Sequence, residues 1–227
     1  VSVATEHEAV LEPLRDLAKQ GVATELLPVR PHGDPAAGLL ELDALREALP
    51  DAALVSVMLA NNEIGVIQPI RQIAELCHNA GALLHCDATQ AVGQLRVSVA
   101  ELGVDLMSFT AHKLHGPKGV GALYVRRRDP IVRLDPQIVG GGQERGRRSG
   151  TLNTPGIVGF AKAIELCAAA RPAEPERLTR LRDEIWGGLR TRIDGVQLVG
   201  PALDATHDGA PLRLGNNLCF ALPGVDG

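Results

Sequence analysis

Residues 82–90, Ala-Leu-Leu-His-Cys-Asp-Ala-Thr-Gln, place a short apolar run directly before a group of polar residues. A continuous run of this length predicts a buried β-strand over 82–86. Similar runs occur at 53–59, 106–109 and 121–125. Strands that are apolar throughout, rather than at every second residue, are typical of a parallel sheet that is covered on both faces.

Helical patterns separate these strands. Residues 40–49 and 70–77 carry apolar side chains at helical spacing, and Thr5 and Glu8 form a capping box that predicts the start of an earlier helix. Residues 22–29 are predicted to form a further strand. The alternation of apolar strands and amphipathic helices predicts an α/β fold with a mainly parallel (mixed) sheet sandwiched by helices.

The character of the chain changes after Gly140. A glycine- and arginine-rich segment, residues 140–151, leads into a helix for which Thr154 is the predicted N-cap. A second helix is expected after Pro175. The sequence therefore predicts a second region that is mainly helical where it begins.

We expect a large domain over residues 1–150 and, over 151–227, linker helices followed by the start of a smaller, truncated α+β C-terminal domain. Strands near 196–199 and at 217–222 would belong to this second domain. The chain begins directly at a helix, and no further element follows the last strand. We therefore expect the chain to be a fragment that lacks the N-terminal part of its large domain.

The composition excludes several classes of protein. The formal net charge is −4, which gives no overall attraction to nucleic acid or to an anionic membrane. No apolar run is long enough to span a bilayer, and the first residues do not have the pattern of a signal peptide. We expect neither a membrane partner nor direct binding of nucleic acid.

The cysteines are widely spaced and form no CxxC pair, which indicates buried thiols in a reducing compartment and a cytoplasmic location. The four are Cys77, Cys86, Cys167 and Cys219. Zinc binding by the neighbours Cys77 and His78, or by His85 and Cys86, is not expected because adjacent side chains of a strand point apart. No metal site is predicted.

Polar residues follow three predicted strands directly, at 61–63, 87–90 and 110–113. Because ligands of parallel sheets bind beyond the C-terminal ends of the strands, we expect these residues to meet at one edge. Lys113 is a candidate for attack on an aldehyde, which requires a lysine close to its neutral form. Taken singly, Lys113 is better explained as a surface lysine and Asp87 as a turn aspartate.

Five motifs together are far more specific than any one of them. The combination resembles the class V aminotransferase superfamily and, within it, the cysteine desulfurases that supply sulfur for iron–sulfur cluster assembly and tRNA thiolation. The motifs are TEHEAV at 5–10, NNEIG at 61–65, HCDATQ at 85–90, AHKLHGPKG at 111–119 and GGGQERGRRSGT at 140–151. The resemblance covers essentially the whole chain.

The resemblance implies that residues 1–150 form a PLP-transferase type domain that holds pyridoxal 5'-phosphate. Lys113 is implied to bind this cofactor covalently and to move the Cα proton of the substrate. His7 is implied to stack on the cofactor ring and to take part in catalysis. Asp87 is implied to keep the pyridine nitrogen protonated.

Further cofactor contacts are implied in the same way. Asn62 and Gln90 resemble residues that contact the ring oxygen and the substrate, whereas Thr110 and His112 resemble phosphate ligands. Thr151 resembles a threonine that reaches the phosphate of the neighbouring subunit. The last resemblance implies a homodimer.

The implied reaction converts L-cysteine to L-alanine and leaves sulfur as a persulfide on the enzyme, for an acceptor such as an iron–sulfur scaffold or a tRNA-thiolation enzyme. The family's nucleophilic cysteine and substrate-carboxylate arginine lie downstream of the last predicted strand and are absent here. Cys86 faces away from the cofactor if Asp87 faces it, and we reject all four cysteines as the nucleophile. We expect the chain alone to be inactive.

Three alternatives stay open at this stage. The chain could belong to another class V enzyme, such as an aminotransferase or a cysteine/selenocysteine lyase. It could also be a non-catalytic fragment that binds the cofactor. The basic, glycine-rich loop with Arg145, Arg147 and Arg148 could instead bind RNA, but no aromatic residues are interleaved with it and the overall charge is acidic.

Overall fold

A computed structural model describes residues 1–225 of the chain. Its centre is a sheet of six strands, of which the first five in the chain are parallel and the sixth is antiparallel to its neighbour. The strands are β1 Ser2–Val3, β2 Leu26–Leu27, β3 Leu54–Ser56, β4 Leu83–Asp87, β5 Leu106–Thr110 and β6 Gly121–Val125. Their order across the sheet is β2-β1-β3-β4-β5-β6. The predicted mainly parallel, mixed sheet is confirmed.

The first strand was not predicted from the sequence. β1 lies between β2 and β3, although the pattern suggested that the chain began directly at a helix. Ser2 is completely buried, and its hydroxyl donates to the backbone oxygen of Ser56 at 2.9 Å. A two-residue strand is too short to show a periodic pattern, so only the tertiary pairing reveals it.

The helices follow the predicted alternation with the strands, with shorter bounds at several ends. They are α1 Glu8–Lys19, α2 Leu42–Ala48, α3 Ile70–Asn79, α4 Val99–Leu102, α5 Thr154–Ala170 and α6 Glu174–Arg192. Short 3-10 turns cover Leu49–Asp51, Ala111–Leu114 and Gln143–Gly146. The predicted apolar face of α3 is buried in the main core, where α3 contacts β4.

Two predicted helix caps are wrong by one or two residues. The N-cap of α1 is His7, not Thr5, and its Nδ1 accepts from the backbone nitrogen of Ala9 at 3.1 Å. The N-cap of α5 is Asn153, not Thr154, and its Oδ1 accepts from Gly156 at 3.0 Å. In both places a second polar side chain was available for the cap. His7 has the extended backbone that is typical of an N-cap, and Asn153 also lies outside the helical region.

A buried carboxylate connects the sheet to the helix layer. Asp105, directly before β5, is completely buried. Its Oδ2 accepts from the backbone nitrogen of Leu84 at 2.8 Å and lies 2.9 Å from His78 Nε2, whereas Oδ1 lies 3.2 Å from Arg126 Nε. One side chain therefore connects α3, β4 and the residue that follows β6.

The region after the sheet is built differently. α5 packs through Phe160 and Ala163 on Ala111 and Leu114, and the Phe160 ring lies edge-on to Phe109 at a centroid distance of 5.6 Å. Its small strands, each of two residues, pair as β7 with β10 and as β8 with β9. Their bounds are β7 Gln197–Leu198, β8 Thr206–His207, β9 Ala210–Pro211 and β10 Phe220–Ala221.

Three sequence predictions are corrected in this part of the chain and in β2. Residues 22–29 contribute only the two residues of β2. The β8–β9 hairpin was not predicted, because two-residue strands leave no pattern. Cys219 lies directly before β10, not within it, although its backbone oxygen still accepts from Val199 at 2.9 Å. The division of the chain into two domains at residue 150 stays a prediction. The last two residues of the predicted second domain, 226 and 227, lie outside the described part of the chain.

Within residues 1–225, no helix combines the length and apolar character needed to cross a membrane.

Candidate active site

Four neighbouring parallel strands end at the same edge of the sheet. β3 and β4 are in register at Ser56 and His85, and β4 and β5 at Asp87 and Ser108. Backbone hydrogen bonds continue past the strands, from Leu59 to Asp87 at 2.8 Å and from Ala88 to Ser108 at 2.9 Å. The segments after β1, β3, β4 and β5 therefore leave the sheet at one edge. Together with the last residues of β4 and β5, they contain seven of the eight predicted site residues.

Asp87, the last residue of β4, is a buried carboxylate at this edge, with 8% of its surface exposed. Its Oδ1 accepts from the backbone nitrogen of Thr89 at 2.9 Å. Within residues 1–225 this is the only hydrogen bond to the carboxylate, so Oδ2 is available to a ligand. The turn that the sequence suggested for Asp87 is present, whereas its role toward a cofactor ring stays a prediction.

His85 lies two residues before Asp87, on the same face of β4. Its Nδ1 is 2.8 Å from the Ser56 hydroxyl and its Nε2 is 3.0 Å from the Ser108 hydroxyl. Burial lowers the pKa of His85, and the nearby charge of Asp87 only partly opposes this. A neutral imidazole therefore joins β3, β4 and β5 next to the candidate site.

Lys113 lies in the 3-10 turn that follows β5. The turn is anchored by the buried side chains of Ala111 and Leu114, whereas His112 and Lys113 are exposed. Among the described residues, Lys113 forms no ion pair. The two apolar anchors thus present the amine to solvent at the edge where Asp87 ends its strand.

Thr110 and His112, the predicted phosphate ligands, are brought into contact. The Thr110 hydroxyl lies 2.8 Å from His112 Nδ1 and also donates to the backbone oxygen of Val120 at 3.3 Å. A hydroxyl and an imidazole therefore lie side by side, directly before Lys113 in the chain. Such a pair can donate hydrogen bonds to an anion.

His7, Asn62 and Gln90 follow β1, β3 and β4 respectively. His7 is exposed and uses Nδ1 as the helix cap, which leaves Nε2 and the ring face free. Asn62 is exposed and Gln90 is half-buried. Thr151 is exposed before α5, and no hydrogen bond of the described chain connects it to the other predicted residues. The roles assigned to these four residues stay predictions.

Two buried residues of this edge were not identified as site residues from the sequence. Glu6 is 5% exposed, and its Oε1 accepts from the backbone nitrogen of Met58. Burial raises the pKa of Glu6 to about 8, and the charge of Asp87 adds to this, against the hydrogen bond from Met58. Asn61 is 4% exposed, and its Nδ2 donates to the backbone oxygen of Thr5 at 2.9 Å. The only available signal was their presence within the TEHEAV and NNEIG motifs.

The donor set fits pyridoxal phosphate. An amine is present for its aldehyde, a buried carboxylate with one free oxygen for its ring nitrogen, and a hydroxyl beside an imidazole for its phosphate. Each comes from a strand end of the same edge. No group of three or more side chains suited to a metal ion occurs in the described chain.

None of the four cysteines is an exposed thiol. Burial raises the pKa of Cys77 to about 11 and raises the pKa of Cys86 well above its ordinary value. Cys167 and Cys219 are half-buried, and the Cys167 Sγ lies 3.8 Å from the backbone oxygen of Leu114. Since the thiolate is the reactive form, the two core cysteines are poor nucleophiles.

A cavity of about 680 Å³ lies elsewhere, between the start of α3, α6 and the β8–β9 hairpin. None of the predicted site residues lines it. Two buried arginines do: Arg182, which pairs with Asp183 at 2.8 Å, and Arg213, which donates to the Asn217 side chain and to the Pro201 backbone. Both already have partners within the fold, so we assign the candidate site to the sheet edge.

Comparisons with known proteins identify the family of the chain. Residues 1–210 match the family model described as Aminotransferase class-V. "Cysteine desulfurase IscS" of Edwardsiella ictaluri (strain 93-146) is 46% identical over 212 residues, which are 93% of this chain and 50% of that protein. The chain spans about half the length of the curated relatives it matches.

Solved structures show the same relationship. The chain is similar to a structure named "NIFS-LIKE PROTEIN", with a TM-score of 0.87, 36% identity, and coverage of 99% of this chain and 57% of that one. It is also similar to "SspA in complex with cysteine", with a TM-score of 0.65, 38% identity, and coverage of 72% and 46% respectively.

Proposed function

The chain belongs to the aminotransferase class-V family, and from this membership we propose that the whole protein is a pyridoxal-phosphate-dependent cysteine desulfurase. The observation that carries the proposal is the convergence of Asp87, Thr110, His112 and Lys113 on one sheet edge. Relatives named as cysteine desulfurases support it. A similar structure in complex with cysteine supports L-cysteine as the substrate.

Four residues are proposed to hold the cofactor, and one of them, Lys113, is also proposed to move a proton. Lys113 would hold the cofactor through its amine, and its free amine would accept the proton from the substrate Cα atom. Asp87 holds the ring nitrogen in its protonated form with its free oxygen. When bound, pyridoxal phosphate supplies a ring that accepts the electron pair of the Cα–H bond. Thr110 and His112 would hold the phosphate through the hydroxyl and the imidazole.

His7, Asn62, Gln90 and Thr151 complete the proposal. His7 has a free ring face at the start of α1 and stacks on the cofactor. Asn62 and Gln90 orient the ring oxygen and the substrate from the ends of β3 and β4. Thr151 reaches the cofactor phosphate of a second subunit.

A homodimer is supported by apolar side chains of α5 and of the segment before Thr151 that the described fold leaves uncovered. Val139, Val158 and Leu166 expose 76%, 62% and 59% of their surfaces. A second copy that covers this face would bury them and bring Thr151 toward the partner's site. Patches of this kind on soluble proteins mark interaction surfaces.

The sulfur step needs a thiol other than the four described here. Cys77 and Cys86 are core residues, and Cys167 and Cys219 are half-buried. We propose that residues 1–227 alone bind the cofactor but do not transfer sulfur. In the whole protein the products would be L-alanine and a persulfide, passed to an iron–sulfur scaffold or a tRNA-thiolation enzyme. Four unpaired cysteines support a reducing compartment such as the cytoplasm.

The experiment is covalent trapping on the purified protein. Pyridoxal phosphate is added, the mixture is reduced with borohydride, and the modified lysine is located by peptide mass spectrometry. The expected adduct is on Lys113 and is lost in Lys113→Ala. Lys118→Ala, which removes another exposed lysine five positions away, is the matched control and keeps the adduct. An adduct on other lysines only, or one that persists in Lys113→Ala, would refute the proposal.

Product analysis on the full-length protein separates the desulfurase from its class V rivals. With L-cysteine, alanine is expected together with enzyme-bound sulfur. Pyruvate would indicate β-elimination, and conversion of a 2-oxo acid to its amino acid would indicate transamination.

A further inference from the structure

The segment after β1 is held to the segment after β3 by two side-chain hydrogen bonds. Glu6 Oε1 accepts from the Met58 backbone nitrogen, and Asn61 Nδ2 donates to the Thr5 backbone oxygen at 2.9 Å. We call this pair of hydrogen bonds the β1–β3 clasp. It joins the residue before His7 to the segment that precedes Asn62, so it connects two parts of the candidate site.

Asn61 stabilises its own side of the clasp. Its Oδ1 accepts from the backbone nitrogens of Glu63 at 2.9 Å and Ile64 at 2.8 Å. All polar atoms of this buried amide therefore have a use within the fold. Glu6 is the member of the clasp whose state can change.

Glu6 is buried with an incomplete set of partners. Its Oε2 has no hydrogen-bond partner in the described part of the chain, and neither does the buried hydroxyl of Thr5 beside it. A buried carboxylate with one backbone donor is strongly disfavoured, whereas the uncharged acid is tolerated. The groups that face it from β4 are Asp87, whose negative charge opposes a second one, and the neutral thiol of Cys86.

Resting on the function proposed above, we propose that Glu6 is a positioning residue: as an uncharged acid it keeps the β1–β3 clasp closed and holds His7 and Asn62 at the cofactor edge. Loss of its proton opens the clasp, because a second buried negative charge then lies beside Asp87. Glu6 acts through Met58 and His7 and does not itself touch substrate. The pKa of about 8 places this change in the mildly alkaline range.

The first test needs no cofactor. Infrared difference spectra of the full-length protein are compared between wild type, Glu6→Gln and the control Glu8→Gln, which changes an exposed glutamate of α1. A protonated-acid carbonyl band is expected near pH 6.5 and should disappear with a midpoint near pH 8. It should be missing only in Glu6→Gln. Hydrogen exchange of residues 4–9 and 57–62, corrected for intrinsic rates, should accelerate as the band disappears.

The second test measures pyridoxal phosphate affinity in the same variants and in Glu6→Ala. Between about pH 6.5 and about pH 9.5, wild type and Glu8→Gln should weaken about tenfold more than Glu6→Gln, whose amide stays neutral and still accepts from Met58. Glu6→Ala, which cannot form the clasp, should be weak at both pH values. Its thermal unfolding is recorded to show that it is folded.

The outcomes separate the two proposals. An ionised Glu6 at pH 6.5, or unchanged exchange and affinity in Glu6→Ala, would overturn the positioning role while leaving the cofactor site in place. Failure of every variant, wild type included, to bind pyridoxal phosphate would overturn the proposed function. In that case the first test still decides about the clasp: it is supported if hydrogen exchange accelerates as the acid band disappears, and it is refuted if the two do not change together.

Discussion

Helix α3, which packs on the sheet, and helices α5 and α6, which follow the sheet in the chain, are buried to very different degrees. α3 has ten residues and buries four of them, Ile70, Ile73, Ala74 and Cys77. α5 buries three of seventeen residues, and α6 buries only Arg182 among nineteen. The sheet region therefore covers its own core, whereas α5 and α6 bury few of their own residues and gain less stability from burial.

Removal of the Asp105 carboxylate should test the sheet region most severely. Asp105→Ala leaves the Leu84 backbone nitrogen without its acceptor and Arg126 without its carboxylate partner. Loss of one member of a buried ion pair costs about 3–5 kcal/mol. Chemical denaturation should show this loss. A cost below about 1 kcal/mol would mean that the sheet does not depend on this connection.

A matched pair of truncations compares α3 with α5 directly. Ile73→Ala removes a fully buried side chain and should lower the free energy of unfolding by about 2–5 kcal/mol. Val158→Ala removes one that is 62% exposed in the single chain, and at protein concentrations too low for the proposed homodimer it should change the free energy of unfolding by less than about 0.5 kcal/mol. At high protein concentration the cost of Val158→Ala should grow, because the second copy then covers this side chain; a cost that is independent of concentration would contradict that placement of the homodimer.

Glu6→Gln should change how stability depends on pH. The folded pKa of about 8 lies above the ordinary value of 4.5, so the folded state binds more protons than the unfolded state between these values. Wild type should therefore lose stability relative to Glu6→Gln as pH rises through this window, by up to about 1.4 kcal/mol per pH unit. The free energy of unfolding is measured by chemical denaturation at about pH 6 and about pH 8. An equal change between these pH values in wild type and in Glu6→Gln would contradict the raised pKa.

The smallest predicted effect concerns the cap of α5. Asn153→Ala removes the acceptor of the Gly156 backbone nitrogen and should cost about 1 kcal/mol. Thr154→Ala, at the neighbouring position that the sequence pattern favoured, is the control and should cost less. A reversed order, measured by thermal unfolding, would restore Thr154 as the cap.

Elements with a long apolar pattern could be predicted well from the sequence. The β6 strand was predicted with its observed bounds, and α3 with its buried face. β1 and the β8–β9 hairpin could not be predicted, because two-residue strands exist only through their tertiary partners. Two helix caps were predicted at the wrong residue, Thr5 instead of His7 and Thr154 instead of Asn153, because both candidates in each pair are polar.

In the candidate site, too, some residues could be placed from the sequence and others could not. The positions of Asp87, Thr110, His112 and Lys113 at one edge follow from where each strand ends, which the sequence pattern indicates. The part played by Glu6 does not, because an acidic residue between two polar ones is ordinarily exposed. Only the depth of β1 in the sheet explains why this carboxyl is buried.

The central position of β1 has a consequence for where Val1 lies. The nitrogen of Val1 donates to the Leu54 backbone oxygen at 3.0 Å, where β1 and β3 begin. The candidate site lies at the opposite rim, where the parallel strands finish. Any segment joined to the nitrogen of Val1 therefore meets the sheet at the rim opposite the candidate site.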